Sequence, residues 1–292
     1  MNFYISQLDE NKKIIPIIEK YNVGLEIVQF SNPFILDNKE QFIKEYKREW
    51  GSLLDEINIS IHGPFADLSA GSRDIEITKI TSKRYNQAYE VAKEFNAKRI
   101  VYHNSYIPKL YTYTEWLQNT DVFWEKFFED KNDDIIYHLE NVLEWDYFLI
   151  KETIDRVNKI NFNACLDLGH TNVYSKLSIE QWIEALGSKI GHLHVHNNYG
   201  EEDSHFGIEK GNVYVKKIIE LVEKNNKKLS ISLEIVNVDE LKKSLELLCE
   251  DGFISRRYIS YNFRYKLYFI IKSYHLNISD SSINCYFKFS LI

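Results

Sequence analysis

Nine side chains of the types that bind divalent metals stand at or just beyond the ends of successive strand-like segments of this 292-residue chain. They are His62, His103, Glu140, Asp167, His170, His194, Asp203, His205 and Glu234. One imidazole or carboxylate at a strand end is ordinary. A series of them, separated by strand and helix units, is what a ring of parallel strands needs to bring ligands to one point. The spacing therefore predicts a divalent-metal site.

Some of these residues are placed so that they suit one ion. Asp167 ends the segment ACLD and His170 follows three residues later, after Gly169, where the glycine lets the chain turn so that both side chains can face one ion. An acid that ends a buried strand, such as Glu140 or Glu234, is costly unless it is paired, protonated or metal-bound. An N/O ligand set with an open position suits Zn²⁺, and more carboxylate and water favours Mn²⁺, Mg²⁺ or Co²⁺. The residue types leave the choice of metal open.

The segment HLHVH at 192–196 places three histidines at alternate positions of one predicted strand. Alternate residues share a face, so these imidazoles are expected to project the same way at successive depths, and they cannot all bind one ion. We take His194 as the ligand and leave His192 and His196 as lining or supporting residues. Glu26, on the second segment, has two open interpretations, which are contact with substrate and pairing with a cation.

Eight strand-length segments alternate with helical patterns along the chain. The segments are 3–5, 23–28, 57–61, 99–102, 135–139, 162–166, 190–195 and 229–235. Helical spacing of apolar residues is clear over 77–95, 215–222 and 238–248. Segments that are apolar rather than alternating favour a parallel sheet covered by helices, and eight units favour closure into a (β/α)8 TIM barrel. An open doubly wound sheet is the competing fold, but no GxGxxG or GxxxxGK[ST] motif is present.

Length and composition predict one large domain followed by an extension. A (β/α)8 barrel takes about 250 residues, and residues 1–252 contain all eight segments; with 44% apolar residues the chain can bury a full core. Residues 253–292 contain eleven aromatic residues, and six Lys or Arg against one acid. We expect them to form an appendage, either an element that covers the barrel or joins copies of the chain in a homo-oligomer, or a tail without a role.

Residues 1–252 are acidic, with 30 basic and 42 acidic residues, a net charge of about −12. Such a field repels a phosphate backbone, so nucleic acid is disfavoured as a partner, whereas a small sugar is unaffected. The N-terminus has no basic segment followed by an apolar one, and no apolar run approaches the roughly 18 residues of a membrane span. We therefore expect a cytoplasmic protein without a membrane segment. Three cysteines without a CxxC pair are expected to be reduced and structural.

Five motifs carry a family resemblance. They are HGPF at 62–65, LENV at 139–142, CLDLGH at 165–170, HLHVHNNYGEEDSHFGIEKG at 192–211 and SLEIV at 232–236. Together they cover about 1–250 and resemble the xylose isomerase-like TIM barrels, which include sugar isomerases, sugar epimerases and endonuclease IV of the AP endonuclease family 2. The long loop motif is the most specific of the five. Two positions depart from the family loop, Asn197 where an aspartate is common and Gly207 where a proline is common, and both concern loop geometry.

The resemblance implies two different ligand sets. Similarity to the sugar epimerases implies a single metal site, with two of its glutamates also acting as acid and base and His170 near the substrate. Its ligands would be Glu140, Asp167, His194 and Glu234. Similarity to endonuclease IV instead implies up to three zinc ions. They would be held by His62, His103 and Glu140, by Glu140, Asp167, His194 and Glu234, and by His170, Asp203 and His205.

Two enzymatic hypotheses follow, together with a non-enzymatic one. The first is a metal-dependent isomerase or epimerase of a sugar or sugar phosphate that works through an enediolate, with Glu140 and Glu234 moving the proton. Candidates to stack on the sugar lie between Tyr102 and Trp124 and include Tyr106, Tyr111, Tyr113 and Trp116. The alternative is an endonuclease IV-like zinc phosphodiesterase that acts on abasic DNA. A sugar-binding barrel without turnover is the third.

Overall fold

The computed structural model describes residues 1–131, 134–226 and 228–257, and its eight strands form a closed parallel barrel. The strands are β1 (Asn2–Ser6), β2 (Gly24–Ile27), β3 (Ile59–His62), β4 (Arg99–His103), β5 (Ile136–Glu140), β6 (Phe162–Asp167), β7 (Ile190–Val195) and β8 (Ser230–Leu233). Each strand pairs with the next along the chain, and β8 pairs with β1. The predicted (β/α)8 barrel is confirmed, and the open sheet is excluded.

Helices follow the strands and cover the outside of the barrel. Those in the described residues are α1 (Asn11–Lys20), α2 (Pro33–Asp37), α3 (Lys39–Trp50), α4 (Leu53–Glu56), α5 (Ile75–Glu94), α6 (Tyr113–Phe128), α7 (Phe148–Val157), α8 (Leu168–Tyr174), α9 (Ile179–Leu186), α10 (Val215–Asn225) and α11 (Val238–Glu250). Polar N-cap residues define where several helices begin. At α9, Ser178 forms a capping box with Gln181, and at α11, the Asn237 side chain accepts from the amides of Asp239 and Glu240. None of these helices is long and apolar enough to cross a membrane.

The strands have two different faces. Leu25, Ile61, Leu166 and Leu193 are fully buried in the apolar core cluster. The alternate positions carry polar groups, for example Glu26 beside Ser60 and His192 beside Ser230, and these are equally buried. The expectation that each strand is apolar throughout was therefore wrong, because polar side chains fill the alternate positions that face into the barrel.

Strand register places the predicted ligands side by side. His103, the last residue of β4, pairs with Glu140, the last residue of β5. Asp167, the last residue of β6, pairs with His194 on β7. Because parallel strands end at the same rim of the barrel, these side chains meet at its carboxyl end.

The compact unit that contains the barrel runs from Met1 to Arg256. The ring of Phe253 lies 6.3 Å from that of Phe3, and the Asn22 amide donates to the Ser255 carbonyl at 2.8 Å. The predicted appendage at 253–292 lies outside the described residues from position 258 onward. Cys165 and Cys249 are free thiols.

Candidate metal centre

Four predicted ligands form an inner group in the mouth of the barrel, all of them 5% exposed or less. The Nδ1 atom of His194 lies 3.3 Å from Glu140 Oε1, 3.5 Å from Glu234 Oε1 and 3.9 Å from Asp167 Oδ2. Ligand atoms that surround one ion at about 2.0–2.2 Å are separated by similar distances of about 3–3.6 Å. The inner group therefore has the spacing of a mononuclear metal site.

Hydrogen bonding gives a second test of whether an ion fits. Both oxygens of Glu140, Oδ2 of Asp167 and Nδ1 of His194 are buried without a hydrogen-bond partner among the described residues. Buried carboxylate oxygens without donors are strongly unfavourable unless a cation compensates them. A divalent cation supplies that compensation, so the residues present fit one.

The electrostatics of the inner group point the same way. Burial opposes ionisation of Glu140, but the charge of the neighbouring His194 imidazole holds the pKa of its carboxyl well below the ordinary value. Burial likewise opposes protonation of His194, yet the carboxylates of Glu234, Glu140 and Glu26 raise the pKa of its imidazole well above the ordinary value. The carboxylates around His194 thus favour a positive charge at this position, and a bound divalent ion can supply that charge in place of the proton.

Glu26 lies beneath the inner group and is completely buried. Its Oε1 is 3.1 Å from Nε2 of His194, the nitrogen opposite the one that faces the carboxylates. The hydroxyls of Ser6, Ser60 and Ser232 all donate to it, at 3.0, 2.9 and 2.9 Å. Of the two interpretations left open by the sequence, pairing with a cationic or N–H-bearing histidine fits this geometry.

A second group shares Glu140 with the inner one. His103 Nε2 and His62 Nε2 lie 3.4 and 3.7 Å from Glu140 Oε2, whereas Oε1 of the same carboxylate faces His194. The Nδ1 atom of His62 is 2.9 Å from the Gly63 carbonyl, which leaves Nε2 for a ligand. Burial lowers the pKa of His103 to about 3, so its ring is neutral at pH 7 and has a free lone pair.

An outer group forms at the edge of the mouth, where the loop after β7 returns to the barrel. His170 Nε2 and His205 Nε2 lie 3.2 and 3.3 Å from Asp203 Oδ2. Backbone carbonyls orient both rings, since Asn141 O is 3.0 Å from His170 Nδ1 and Glu234 O is 2.8 Å from His205 Nδ1. Burial opposes protonation of His205, but the hydrogen bond to Asp203 raises its pKa to about 9.

The three groups together contain all nine residues singled out in the sequence, and the outer one adds His196. Sequence reasoning left His196 as a lining residue on the strand face of His192 and His194. It lies one residue beyond the end of β7 at Val195, and its ring stacks on His205 with centroids 3.8 Å apart. In the sequence, the position of His196 directly after a predicted strand could have indicated that it lies near the site.

The two departures from the family loop have clear structural roles. The side-chain nitrogen of Asn197 donates to the carbonyls of Ile208 and Val213, which an aspartate could not do. The amide of Gly207 donates to Glu240 at 2.8 Å, and a proline has no such amide hydrogen. The loop is therefore closed by contacts that an aspartate at position 197 and a proline at position 207 could not make.

Aromatic residues are arranged differently from the expectation. Trp116 is fully buried and Tyr106 is 3% exposed, in a small cluster with Leu117 and Leu149, so neither offers a free face to a sugar. Phe65, which sequence reasoning did not select, is 39% exposed and stacks on His103 with ring centroids 4.7 Å apart. The HGPF motif could have indicated Phe65, because this residue follows the predicted ligand His62 by three positions.

Comparison with known proteins agrees with this architecture. A family model described as the xylose isomerase-like TIM barrel matches residues 21–251, and the chain belongs to this family. Uncharacterized protein MJ1311 of Methanocaldococcus jannaschii is 28% identical over 205 residues, 67% of this chain and 70% of that protein.

Solved structures give the same result. The crystal structure of a D-tagatose 3-epimerase-like protein has a TM-score of 0.68 at 26% identity, covering 86% of this chain and 96% of that one. The TTHB071 protein from Thermus thermophilus, soaked with ZnCl2, has a TM-score of 0.69 at 20% identity, covering 86% and 97%. The second likeness is one of fold.

Proposed function

We propose that this member of the xylose isomerase-like family is a divalent-metal-dependent isomerase or epimerase of a sugar or sugar phosphate. The observation that carries the proposal is the placement of two carboxylates, Glu140 and Glu234, within 3.5 Å of the same His194 nitrogen in a buried mouth. Such a pair can both hold an ion and face a small substrate from two sides. Asp167 completes the ligand set.

A bound divalent ion would polarise the sugar carbonyl and stabilise the negative charge that develops on its oxygen. The chain's own residues then move the proton. One of Glu140 and Glu234 removes it from the carbon next to the carbonyl, giving an enediolate, and the other returns a proton to an enediolate carbon. Return to the opposite face of the same carbon gives an epimer, and return to the neighbouring carbon gives an isomer.

Neighbouring side chains support this chemistry. Ser6 donates to Glu234 at 3.3 Å as well as to Glu26, which steadies one of the two acids. His170 lies at the edge of the inner group, with Nδ1 3.4 Å from Glu140 Oε1, where it would lie close to a hydroxyl of a bound sugar. The 39% exposed ring of Phe65 offers an apolar surface to the carbon face of a sugar.

The comparisons support the same reaction class. The solved structure that is 26% identical to this chain is named a D-tagatose 3-epimerase-like protein, and epimerisation of a ketose is the reaction this name describes. The zinc soak of the TTHB071 protein supports a divalent metal, with zinc as one candidate. Mn²⁺, Mg²⁺ and Co²⁺ suit a set of three carboxylates and one imidazole equally well.

A second candidate is an endonuclease IV-like zinc phosphodiesterase that acts on abasic DNA. The observation that favours it is the presence of all three ligand groups, because His62 and His103 share Glu140 with the inner group. A charge of about −12 over residues 1–252 opposes it, since DNA binding needs a positive surface.

Incubation with a panel of ketoses, aldoses and their phosphates separates these candidates. With Mn²⁺, Co²⁺ or Zn²⁺ present, carbon-13 NMR should show conversion of at least one sugar to its epimer or isomer. Glu234→Gln should lower kcat by about 100-fold or more, the usual contribution of a general acid or base. Glu250→Gln, an exposed position on α11, is the matched control and should retain the wild-type rate.

The same preparations should be tested on an oligonucleotide with one abasic position. Cleavage that depends on zinc, together with no conversion anywhere in the sugar panel, would refute the sugar proposal in favour of the phosphodiesterase. Absence of both activities in metal-loaded protein would contradict both enzymatic proposals.

A further inference from the structure

An aromatic-lined cavity lies outside the three ligand groups. Its volume is about 490 Å³, within the range of about 300–1,000 Å³ of small-molecule sites. Its wall includes Tyr113, Trp145, Asp146, Phe148 and Lys176, none of which belongs to a ligand group. Tyr113 is one of the aromatic residues that the sequence offers for stacking on a sugar.

The cavity lies beside the mouth of the barrel, because the segments that follow β4, β5 and β6 form both. Asn104 follows the predicted ligand His103, and its side chain donates to Glu144 at 2.8 Å. Trp145 comes next in the chain, and its carbonyl accepts from the Lys176 amide at 2.8 Å. The wall of the cavity is therefore continuous with the segments that hold the predicted ligands.

The step from the mouth to the cavity is short along α8. The ring of His170 lies 6.3 Å from that of Tyr174, one helical turn later, and Lys176 follows two residues after Tyr174. One turn advances about 5.4 Å, so about one to two turns separate His170 from the cavity wall. A sugar ring that is linked to a second ring is of this size.

The side chains of the cavity suit a sugar ring. Tyr113 and Phe148 stack on each other with ring centroids 5.6 Å apart and planes at 12°, and Phe148 is 40% exposed. The exposed phenyl ring offers an apolar surface to the C–H face of a pyranose. The Lys176 ammonium lies 3.6 Å from the centroid of the Trp145 ring and forms no ion pair within the described part of the chain. It is therefore available to donate to a hydroxyl group of a ligand.

The charges of the wall favour a neutral ligand over a phosphate. Asp146 Oδ2 accepts from the Tyr113 hydroxyl at 3.0 Å, and Oδ1 accepts from the Phe148 amide at 2.9 Å. This carboxylate balances the Lys176 ammonium, and it would repel a phosphate that the ammonium attracts. Hydroxyl groups can accept from Lys176 and donate to the remaining lone pairs of Asp146. A glycosyl group therefore fits the wall better than a phosphoryl group.

We propose that the cavity binds the glycosyl unit of a ketose glycoside, so that the substrate is a disaccharide or similar glycoside instead of a free monosaccharide. This inference rests on the proposed function and names the substrate class of that site. The keto sugar would lie at the inner group, and the glycosyl unit attached to it would stack on Phe148. Contacts with such a remote unit can hold the reacting sugar in position.

Binding measurements with Zn²⁺ present test this inference without any need for turnover. The probes are fructose, fructose 6-phosphate, and two disaccharides in which glucose is attached to fructose, maltulose and isomaltulose. Titration calorimetry should show at least one disaccharide binding about three- to tenfold more tightly than fructose, the effect of one good aromatic contact. In saturation-transfer NMR, the protons of its glucosyl ring should receive saturation from the protein.

Two phenylalanine variants show whether the cavity is responsible. Phe148→Ala should remove the advantage of the disaccharide and the glucosyl signal, and it should leave fructose binding unchanged. Phe34→Ala removes another exposed phenyl ring, on α2, and is the matched control with wild-type binding of every probe. Far-ultraviolet circular dichroism of each variant checks that the barrel has formed.

Equal affinity for fructose and both disaccharides, no binding of any probe, or a glucosyl signal that persists in Phe148→Ala would overturn the proposal. So would preferential binding of fructose 6-phosphate that is lost in Lys176→Gln and unaffected by Phe148→Ala, because the cavity would then hold a phosphate. Failure of the proposed reaction gives a different result, namely disaccharide binding through the cavity without conversion of any sugar. Conversion of free ketoses with no preference for a disaccharide would instead retain the reaction and refute the glycosyl site.

Discussion

Replacement of Glu26 by glutamine removes the charge beneath the inner group and leaves its shape almost unchanged. The glutamine amide can lie in either of two orientations. If its nitrogen replaces Oε1, it donates to Nε2 of His194, and the proton of the neutral imidazole must then lie on Nδ1, the nitrogen that faces the carboxylates. If its nitrogen replaces Oε2, it faces the hydroxyls of Ser60 and Ser232. In the wild type both hydroxyls donate to Oε2. The first orientation opposes metal binding by His194 at Nδ1, and the second keeps the acceptor but removes the negative charge that makes His194 a stronger ligand.

The expected magnitude follows from the position of Glu26 behind one ligand. Carboxylates that contact a ligand histidine contribute about 10- to 100-fold to metal affinity, equivalent to about 1.4–2.7 kcal/mol. Glu26 has no route to the substrate, because it is fully buried below His194. Glu26→Gln should therefore raise the dissociation constant of the inner ion by this factor. Activity should recover at saturating metal to a greater extent than in Glu234→Gln.

Competition with a fluorescent chelator measures this affinity directly. The titration is best carried out in a His205→Ala background, which removes one of the ligands that could hold an ion in the outer group. Glu144→Gln is the control for replacing a buried glutamate, because Glu144 bonds to Asn104 and the Val142 amide instead of to a ligand. An inner-ion affinity in Glu26→Gln within about twofold of the Glu26 parent would refute the proposed role.

Three further predictions concern the fold and the ions. Asn197→Asp loses both donations to backbone carbonyls and should lower the free energy of unfolding in urea by about 1–3 kcal/mol; no change would mean that the loop does not depend on them. Asn237→Ala removes the N-cap of α11 and should cost about 1 kcal/mol, whereas Asn237→Asp should be nearly neutral in the same urea titration. Metal removal should lower the thermal midpoint, because an ion at 100 times its dissociation constant stabilises the folded chain by about 2.7 kcal/mol. Equal midpoints with and without chelator would contradict a resident ion.

The fold could be predicted because its signals are local. Each strand segment is short and bounded by turns or helical patterns, and the eightfold repeat allows few architectures. The polar interior was missed, although residues 229–235 (LSISLEI) alternate visibly. The apolar residues on one face matched the pattern of a buried strand. Nothing in the local sequence showed that the other face is buried too, because its partners are distant in the chain. Ser232, for example, donates to Glu26 on a strand 206 residues away.

The sequence predicted which side chains converge at the rim, and it said less about how they group there. Strand ends converge at the rim, so His103 and Glu140 could be expected to meet. His196 stays a lining or supporting residue, as predicted, but alternation alone could not place its ring, because β7 ends at Val195. Beyond that residue the loop sets the direction of the side chain, through contacts such as the pairing of Asn197 with Phe206.

Hydrogen exchange at carbon tests the central claim most directly. Metal-loaded protein should be incubated with the sugar panel in deuterium oxide, and the recovered sugar analysed by mass spectrometry and proton NMR. We expect deuterium at a carbon next to the carbonyl, with exchange strongly reduced in Glu234→Gln and unchanged in Glu250→Gln. Sugar interconversion without any deuterium incorporation, or exchange that persists in Glu234→Gln, would contradict proton transfer by the Glu140 and Glu234 pair.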